Sequence, residues 1–247
     1  MARYKMVLEY DGSAYHGWQE QPGDIPTVEA AVKAAIEQIA GQRPHIDAAG
    51  RTDAGAHSVG QTITFDLGHD LEPDRLRAGV NAVLPRDVAV REAARVEPGF
   101  HARFSARRRT YRYLVENRAD RGALLRDRAW HVREPLDISA MRAAAAPLVG
   151  EHDLSAFGTD PAGRNTVRQM HSVRVRALRS AGGSLLAVDL TANAFLYGMV
   201  RRVVGFLVEV GLGRRAAAEM ANLLVPGARA GSRVAPARGL YQMGVQY

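Results

Sequence analysis

The chain has 247 residues, of which 47% are hydrophobic and 24% are charged, as in an ordinary globular protein with a sizeable core. No apolar run is long enough to span a membrane, and the first residues do not resemble a signal peptide, so a cytoplasmic location is expected. The lack of cysteine excludes disulfides, thiol nucleophiles and cysteine-ligated zinc.

Hydrophobic patterns in the first hundred residues predict four strands and two helices. The predicted elements are a strand at 3–10, a helix at 28–40, strands at 45–49 and 59–66, a helix at 73–83 and a strand at 87–96. In the first helix, apolar residues recur at i, i+3 and i+4 after the capping residue Thr27. The resulting order, β-α-β-β-α-β, is that of a ferredoxin-like unit.

The remainder of the chain is predicted to repeat this order. Its predicted elements are a strand at 109–116, a helix at 137–149, strands at 167–179 and 184–192, helices at 195–210 and 214–225, and a strand at 240–247. We therefore expect an α+β protein of two ferredoxin-like halves, residues 1–100 and 101–247. Mainly antiparallel sheets would flank a basic cleft that holds the catalytic residues. The long segments between the elements are predicted loops, and loops of such length are often functional.

The net charge of +7 is concentrated in one part of the chain. Residues 101–133, here called the arginine-rich segment, contain ten arginines and only three acidic residues, so they account for the whole excess. Such clustering favours a polyanionic partner, nucleic acid in particular. The alternative is a solvated surface in a protein that prefers arginine, since the chain contains only two lysines.

The segment Gly50-Arg51-Thr52-Asp53-Ala54-Gly55 lies between two predicted strands and is the leading candidate for chemistry. An isolated aspartate beside glycine most often forms a turn. Here, however, Arg51 precedes Asp53 by two residues, His57 follows it by four, and glycines on both sides would let a bulky ligand approach the backbone. A carboxylate beside a guanidinium suits chemistry on a sugar or a base.

Two further residues have both a structural and a functional interpretation. Tyr111 shares a strand face with Tyr113 and Val115, which favours core packing, but its arginine neighbours would also let its ring stack on an unpaired base. Arg201 falls off the apolar stripe of its predicted helix. It either marks the solvent-facing side or lies partly buried, where it would need a carboxylate such as Asp53.

No cofactor or metal site is expected. The histidines lack metal-ligand spacing, and no P-loop or serine-hydrolase motif occurs. Residues 211–216 fit the dinucleotide pattern G-x-G-x-x-A, but they follow a predicted helix and not a strand, so they are interpreted as a helix end.

Seven segments, in order over essentially the whole chain, resemble the tRNA pseudouridine synthase A family. They are residues 10–19 (YDGSAYHGWQ), 50–57 (GRTDAGAH), 100–106 (FHARFSA), 109–113 (RTYRY), 150–157 (GEHDLSAF), 192–196 (ANAFL) with 199–201 (MVR) and Gly205, and 239–241 (GLY). The pair Tyr197-Gly198 and the stretch 158–169 depart from the family pattern, which puts tRNA contacts from those two places in doubt.

The resemblance implies a role for five residues. Asp53 would be the catalytic aspartate, and Tyr111 would pack against the target uridine. Arg201 would pair with Asp53 in the catalytic cleft, Arg51 would help to extrude the nucleotide, and Leu240 would make apolar contact with the base. The implied reaction is the isomerisation of uridine to pseudouridine at positions 38, 39 and 40 of the tRNA anticodon stem-loop. It would need no cofactor, and a homodimer would share the tRNA.

Two alternatives and one mechanistic question remain open at this point. A non-catalytic RNA-binding module is one alternative, although the usual aromatic RNA-binding signature is missing. An RNA glycosidase that uses one carboxylate and a water molecule is the other. Asp53 could attack the sugar as a nucleophile or act as a base.

Overall fold

The computed structural model describes residues 1–160, 163, 165–178 and 184–247. The chain divides into two units, the first comprising Met1–Arg107 with Gln242–Tyr247 and the second comprising Arg108–Tyr241. Residues 101–107 and the strand end at 242–247 therefore group with the first unit, whereas the sequence placed the boundary between residues 100 and 101.

All six elements predicted for the first hundred residues are present in the expected order. They are β1 (Ala2–Tyr10), α1 (Val28–Ala40), β2 (Asp47–Ala48), β3 (His57–Leu67), α2 (Pro73–Val83) and β4 (Val88–Arg95). Helix α1 begins at the predicted cap, where the Thr27 side chain accepts a hydrogen bond from the Ala30 amide at 3.4 Å. The helix ends at Gly41, whose φ of 65° is the left-handed conformation that glycine adopts readily.

The sheet of the first unit has β1 at its centre. Strand β1 pairs antiparallel with β3 on one side and with β4 on the other, and the short β2 pairs antiparallel with β3. Strand β10 (Leu240–Gln246) also neighbours β3, and its residues from Gln242 onward belong to this unit. Buried side chains of the two helices, including Val32, Ile36 and Val80, form one core with Met6 and Phe65 of the sheet. Burial of these apolar surfaces is the main stabilising force on the unit.

The second unit contains two strands more than the sequence predicted. Its elements are β5 (Arg108–Asn117), β6 (Trp130–Val132), α3 (Ile138–Ala145), β7 (Gly150–Asp153), β8 (Val167–Leu178), β9 (Ser184–Ala192) and α4 (Met199–Gly211), followed by the start of β10. Strands β5, β9, β8 and β7 are neighbours in that order and pair antiparallel, and β6 pairs parallel with β5. Strands β6 and β7 were missed because three or four residues are too few to show an alternating pattern.

Three helix predictions in this unit were wrong in extent or type. The helix expected at 137–149 ends at Ala145, and a 3-10 turn containing Pro147 follows it, because proline has no amide hydrogen to continue the α-helical ladder. The helix expected at 195–210 begins only at Met199, after Gly198 with a φ of 70°. The expected helix at 214–225 is a 3-10 helix at Ala217–Leu223.

Among the helices of the described residues, none has both the length and the apolar character that crossing a membrane requires.

Candidate active site

The loop that carries Asp53, residues 49–56, is anchored at both ends. At its start, the Ala49 amide donates to the Thr62 carbonyl at 2.8 Å, and Gln61 Nε2 donates to the Gly50 carbonyl at 2.6 Å. At its end, the Ala56 amide donates to the Asp53 carbonyl at 3.0 Å and closes a turn. The turn interpretation of this segment is therefore geometrically correct.

The middle of the loop is held by the segment between β1 and α1. The Trp18 amide donates to the Thr52 carbonyl at 3.1 Å, and the hydroxyl groups of Tyr10 and Thr52 share a hydrogen bond of 2.8 Å. Both aromatic side chains and Thr52 are buried. Gly17, with a φ of 94°, lies so close that a Cβ atom there would be 2.8 Å from the Thr52 carbonyl oxygen. Any other residue at position 17 would push the loop away.

This supporting segment was missed as part of the site by reasoning from the sequence. Residues 10–19 were noted for their resemblance to the family, but nothing in their pattern indicates contact with residues 50–57. The glycines were the available signal, because a glycine often marks a close approach between backbone segments. Gly12 confirms this reading, since a Cβ atom there would be 1.9 Å from the Ala56 carbonyl oxygen.

The two predicted charged residues of the loop both reach solvent. Arg51 is exposed and Asp53 is half-buried, while Thr52 between them is only 6% exposed. The loop thus presents a guanidinium and a carboxylate two residues apart on a backbone that is held by at least five hydrogen bonds.

His57 contacts the segment that supports the Asp53 loop. It is buried at the start of β3, and its Nδ1 atom accepts the Gly12 amide at 3.1 Å and lies 3.1 Å from a carboxylate oxygen of Asp11. The ring therefore helps to hold the 3-10 turn at Gly12–Ala14 against the end of the Asp53 loop.

Tyr111 lies in the second unit, on β5. It is 7% exposed, and its ring packs edge-to-face on Phe195 with 4.8 Å between the centroids. Neighbouring Arg109 is buried and donates to the Asn193 carbonyl at 2.7 Å, which fixes the loop that carries Phe195. The expectation of core packing for Tyr111 is correct as to burial, and the aromatic pair gives the ring a fixed orientation.

Arg201 lies in the first turn of α4 and is bound to the segment that leads into β10. Its Nε atom donates to the Ala235 carbonyl at 2.7 Å, and the Ala235 amide donates to the Arg201 carbonyl at 3.1 Å. The side chain is half-buried, so it does not mark a fully solvent-facing helix side. Leu240 follows five residues after Ala235, at the start of β10, and is buried.

A buried tyrosine stabilises this same segment. The Tyr113 hydroxyl donates to the Pro236 carbonyl at 2.6 Å. Burial raises the pKa of Tyr113 far above its ordinary value, although the nearby charges of Arg201, Arg238 and Arg233 partly oppose that shift. The raised pKa keeps the hydroxyl protonated at neutral pH, where it donates this hydrogen bond. In the second unit, the structure thus brings Arg201 and the segment leading to Leu240 together.

The arginine-rich segment is only partly available to a partner. Arg109 is buried, Arg112 binds Asp189 at 2.7 Å, and Arg118 lies 3.7 Å from Glu116. Exposed side chains remain at seven positions, namely Arg103, Arg107, Arg108, Arg121, Arg126, Arg128 and Arg133. The charge density inferred from the sequence therefore overstates the surface that could bind phosphates.

Asp189 on β9 is the acceptor that neutralises part of this charge. Burial alone would raise the pKa of Asp189, but hydrogen bonds from Arg112 on β5 and Arg176 on β8 outweigh it and hold the pKa below the ordinary value. This ion-pair cluster joins three adjacent strands of the second unit.

Comparison with known proteins identifies the family. The sequence model described as tRNA pseudouridine synthase matches residues 6–105 and 144–247. The chain belongs to the tRNA pseudouridine synthase family. Curated relatives named tRNA pseudouridine synthase A include one from Neisseria gonorrhoeae (strain NCCP11945), 43% identical over 99% of this chain and 92% of the relative. Another, from Methylobacterium radiotolerans, is 42% identical over 100% of this chain and 98% of the relative. A third, from Geotalea uraniireducens, is 39% identical over the full length of both.

The synthase family model covers some of the candidate residues and leaves one outside. Arg51, Asp53, Arg201 and Leu240 all fall within the matched ranges, whereas Tyr111 lies in the unmatched stretch 106–143. The alignments with the three synthase relatives span nearly the whole chain.

Replacing Asp189 with asparagine will make this synthase-family chain less stable in a pH-dependent way. Because its folded-state pKa is lowered, the carboxylate stabilises the fold above the ordinary aspartate pKa, and that contribution is lost as the pH falls through the lowered value. We expect Asp189→Asn to lower the free energy of unfolding by about 1 to 2 kcal/mol at pH 7. The difference should shrink below about pH 4. Urea unfolding at several pH values measures it, and a difference that stays constant down to pH 2 would contradict the assignment.

Proposed function

We propose that this chain isomerises uridine to pseudouridine in tRNA and that Asp53 is its catalytic carboxylate. Membership of the tRNA pseudouridine synthase family supports the reaction. The observation that carries the role of Asp53 is the anchored loop: the half-buried Asp53 is held on a backbone fixed by Tyr10, Trp18 and Gln61. A catalytic group needs such a fixed orientation, whereas an ordinary surface turn does not.

The reaction is chemically balanced without a redox partner. The bond between uracil N1 and ribose C1′ breaks, the base turns, and a bond forms between C5 and C1′. C5 loses its proton and N1 gains one, so nothing is oxidised or reduced and no cofactor is needed. An ionised carboxylate can attack C1′ as a nucleophile or accept the proton from C5. Asp53 supplies that group.

Four other residues are proposed to bind the substrate. The flat ring of Tyr111 and the side chain of Leu240 offer apolar contact to the uracil, while Arg51 and Arg201 offer positive charge to the nucleotide. Taking the target uridine out of its stack costs a few kcal/mol. Exposed arginines of the arginine-rich segment would offset that cost by binding phosphates.

Replacing Asp53 tests the central part of this proposal. Asp53→Ala should keep tRNA affinity within about threefold, because one carboxylate adds little to binding a polyanion. Turnover should fall by more than about 10³-fold, since the reacting group is gone. Tritium release from tRNA labelled at uridine C5 measures the turnover. The matched control is Asp74→Asn on the surface of α2, where the exposed carboxylate pairs with Arg77 at 3.3 Å.

The same assay separates the competing functions. Near-normal tritium release by Asp53→Ala would refute the catalytic role. If the wild-type chain binds tRNA but releases no tritium, it is a binding module. Free uracil among the products would identify a glycosidase, because the isomerase leaves the base attached to the ribose.

Tyr111 variants test the role of the ring. Because stacking depends on the ring more than on the hydroxyl, Tyr111→Phe should retain most of the activity, whereas Tyr111→Ala should lose at least about tenfold. The phenylalanine variant also preserves the edge-to-face contact with Phe195. Initial rates of tritium release give the comparison. Equal and complete loss in both variants would indicate proton transfer by the phenol instead of stacking.

We further propose positions 38, 39 and 40 of the anticodon stem-loop as the targets, in a cytoplasmic homodimer that shares the tRNA. Pseudouridine mapping in tRNA from cells with and without the gene should show loss at these positions only. One chain has a mass of 26.8 kDa, and light scattering of the purified protein should give twice that mass. Loss at unrelated positions, or a monomeric mass with and without tRNA, would refute the respective part.

A further inference from the structure

Two buried glutamines connect strand β10 to the loop that carries Asp53. Gln61 on β3 and Gln242 on β10 are both 0% exposed. Gln242 Nε2 donates to Gln61 Oε1 at 3.1 Å, and Gln61 Nε2 donates to the Gly50 carbonyl at 2.6 Å. All three residues belong to the first unit. The result is a continuous hydrogen-bonded chain from the C-terminal strand to a residue three positions before Asp53.

The Gly50 carbonyl fixes the direction of this series of hydrogen bonds. The Gly50 carbonyl can only accept a hydrogen bond, so Gln61 must turn its amide nitrogen toward it. Its amide oxygen then faces Gln242, which must in turn present its own nitrogen. Reversing either side chain would set two oxygens or two amide groups against each other. The backbone of Gly50 therefore determines the orientation of both glutamines.

This orientation leaves a buried oxygen without a donor. Gln242 Oε1 has no hydrogen-bond partner among the residues that the structure describes. A buried acceptor without a partner destabilises a protein, but an apolar side chain at position 242 would leave Gln61 Oε1 unpaired instead. Gln242 therefore uses its donor end to pair Gln61 Oε1, while Gln61 Nε2 binds the Gly50 carbonyl. The unpaired oxygen lies on Gln242, the glutamine farther from Gly50, and both polar groups of the Gln61 side chain are hydrogen-bonded.

The backbone of Gln242 is fixed as well. Ser58 Oγ donates to its carbonyl at 3.2 Å and accepts the Gly60 amide at 3.1 Å. The side-chain amide of Gln242 therefore extends from a strand whose backbone is held in place. Gly50, by contrast, has no side chain to restrict its backbone. The peptide group between Gly50 and Arg51 would therefore rotate more easily than its neighbours.

We propose that Gln61 and Gln242 are positioning residues that fix the Gly50 carbonyl and thereby set the orientation of the Asp53 carboxylate. Gln61 acts directly on Gly50, and Gln242 acts through Gln61. The inference rests on the proposed catalytic role of Asp53. It adds that β10, which also carries Leu240, takes part in holding the catalytic loop.

The test uses Gln61→Met, Gln242→Met and the double variant. Methionine keeps the length of glutamine and cannot form these hydrogen bonds. The single-turnover rate of tritium release at saturating enzyme should fall by about tenfold in Gln61→Met and by about threefold in Gln242→Met, because small displacements of a reacting group are costly. The dissociation constant for tRNA should stay within about twofold. The double variant should be no slower than Gln61→Met, since both residues act through one carbonyl.

Stability measurements distinguish positioning from packing. Gln242→Met removes one unpaired oxygen and leaves Gln61 Oε1 unpaired instead, so its Tm should stay within about 2 °C of the wild type. The matched control is Thr64→Val, also on β3 and 0% exposed, which loses the hydrogen bond from the Ala102 amide at 3.2 Å. The Tm of that variant should fall, while its single-turnover rate of tritium release should stay at the wild-type value.

Each outcome decides the inference. Wild-type rates in Gln242→Met, or rate losses that multiply in the double variant and follow Tm, would overturn it. If Gln61→Met does not fold, Gln242→Met decides alone, because it leaves the Gly50 hydrogen bond in place. Normal glutamine variants beside an inactive Asp53→Ala would refute only the positioning role, whereas an active Asp53→Ala would refute the proposed function itself.

Discussion

Thr52 is the buried residue through which the candidate catalytic loop is held, and the rest of the site depends on it. Its carbonyl accepts from Trp18 and its hydroxyl bonds to Tyr10, so both the backbone and the side chain of one residue are fixed. Hydrogen bonds in a buried environment hold their geometry because water cannot compete for the donors and acceptors. The backbone that carries the residues on either side of Thr52, Arg51 and Asp53, is therefore held at the position between them.

The sequence correctly predicted the elements that depend on interactions between residues close together in the chain. Helices α1 and α2 were placed at their observed ends, because a capping threonine, an N-terminal proline and apolar periodicity all act within a few residues. Strands β8 and β9 were long enough for their patterns to be recognised. The departures, such as the late start of α4 after Gly198, depend on single backbone conformations that composition does not reveal.

The candidate site was less predictable, because its contacts join distant parts of the chain. The bond between Tyr10 and Thr52 spans 42 residues, and that between Gln242 and Gln61 spans 181. Asp53 was predicted as the catalytic residue from its neighbours and from family-like segments, whereas the residues that hold its loop were not predicted. The arginine-rich segment also shows what the sequence could not predict. A sequence gives the total charge, but only the fold separates Arg112, which stabilises the sheet through Asp189, from arginines exposed to a partner.

The position of β10 has a consequence for the order in which the protein matures during synthesis. Its residues from Gln242 onward complete the first unit, yet they are translated after the whole of the second. The ribosome therefore releases the N-terminal helices and strands long before their sheet can receive this neighbour. Until then Gln61 Oε1 lacks its hydrogen bond from Gln242, and the loop of residues 49–56 lacks one of its supports. The sheet of the first unit is therefore completed only after the residues of the second unit have been synthesised.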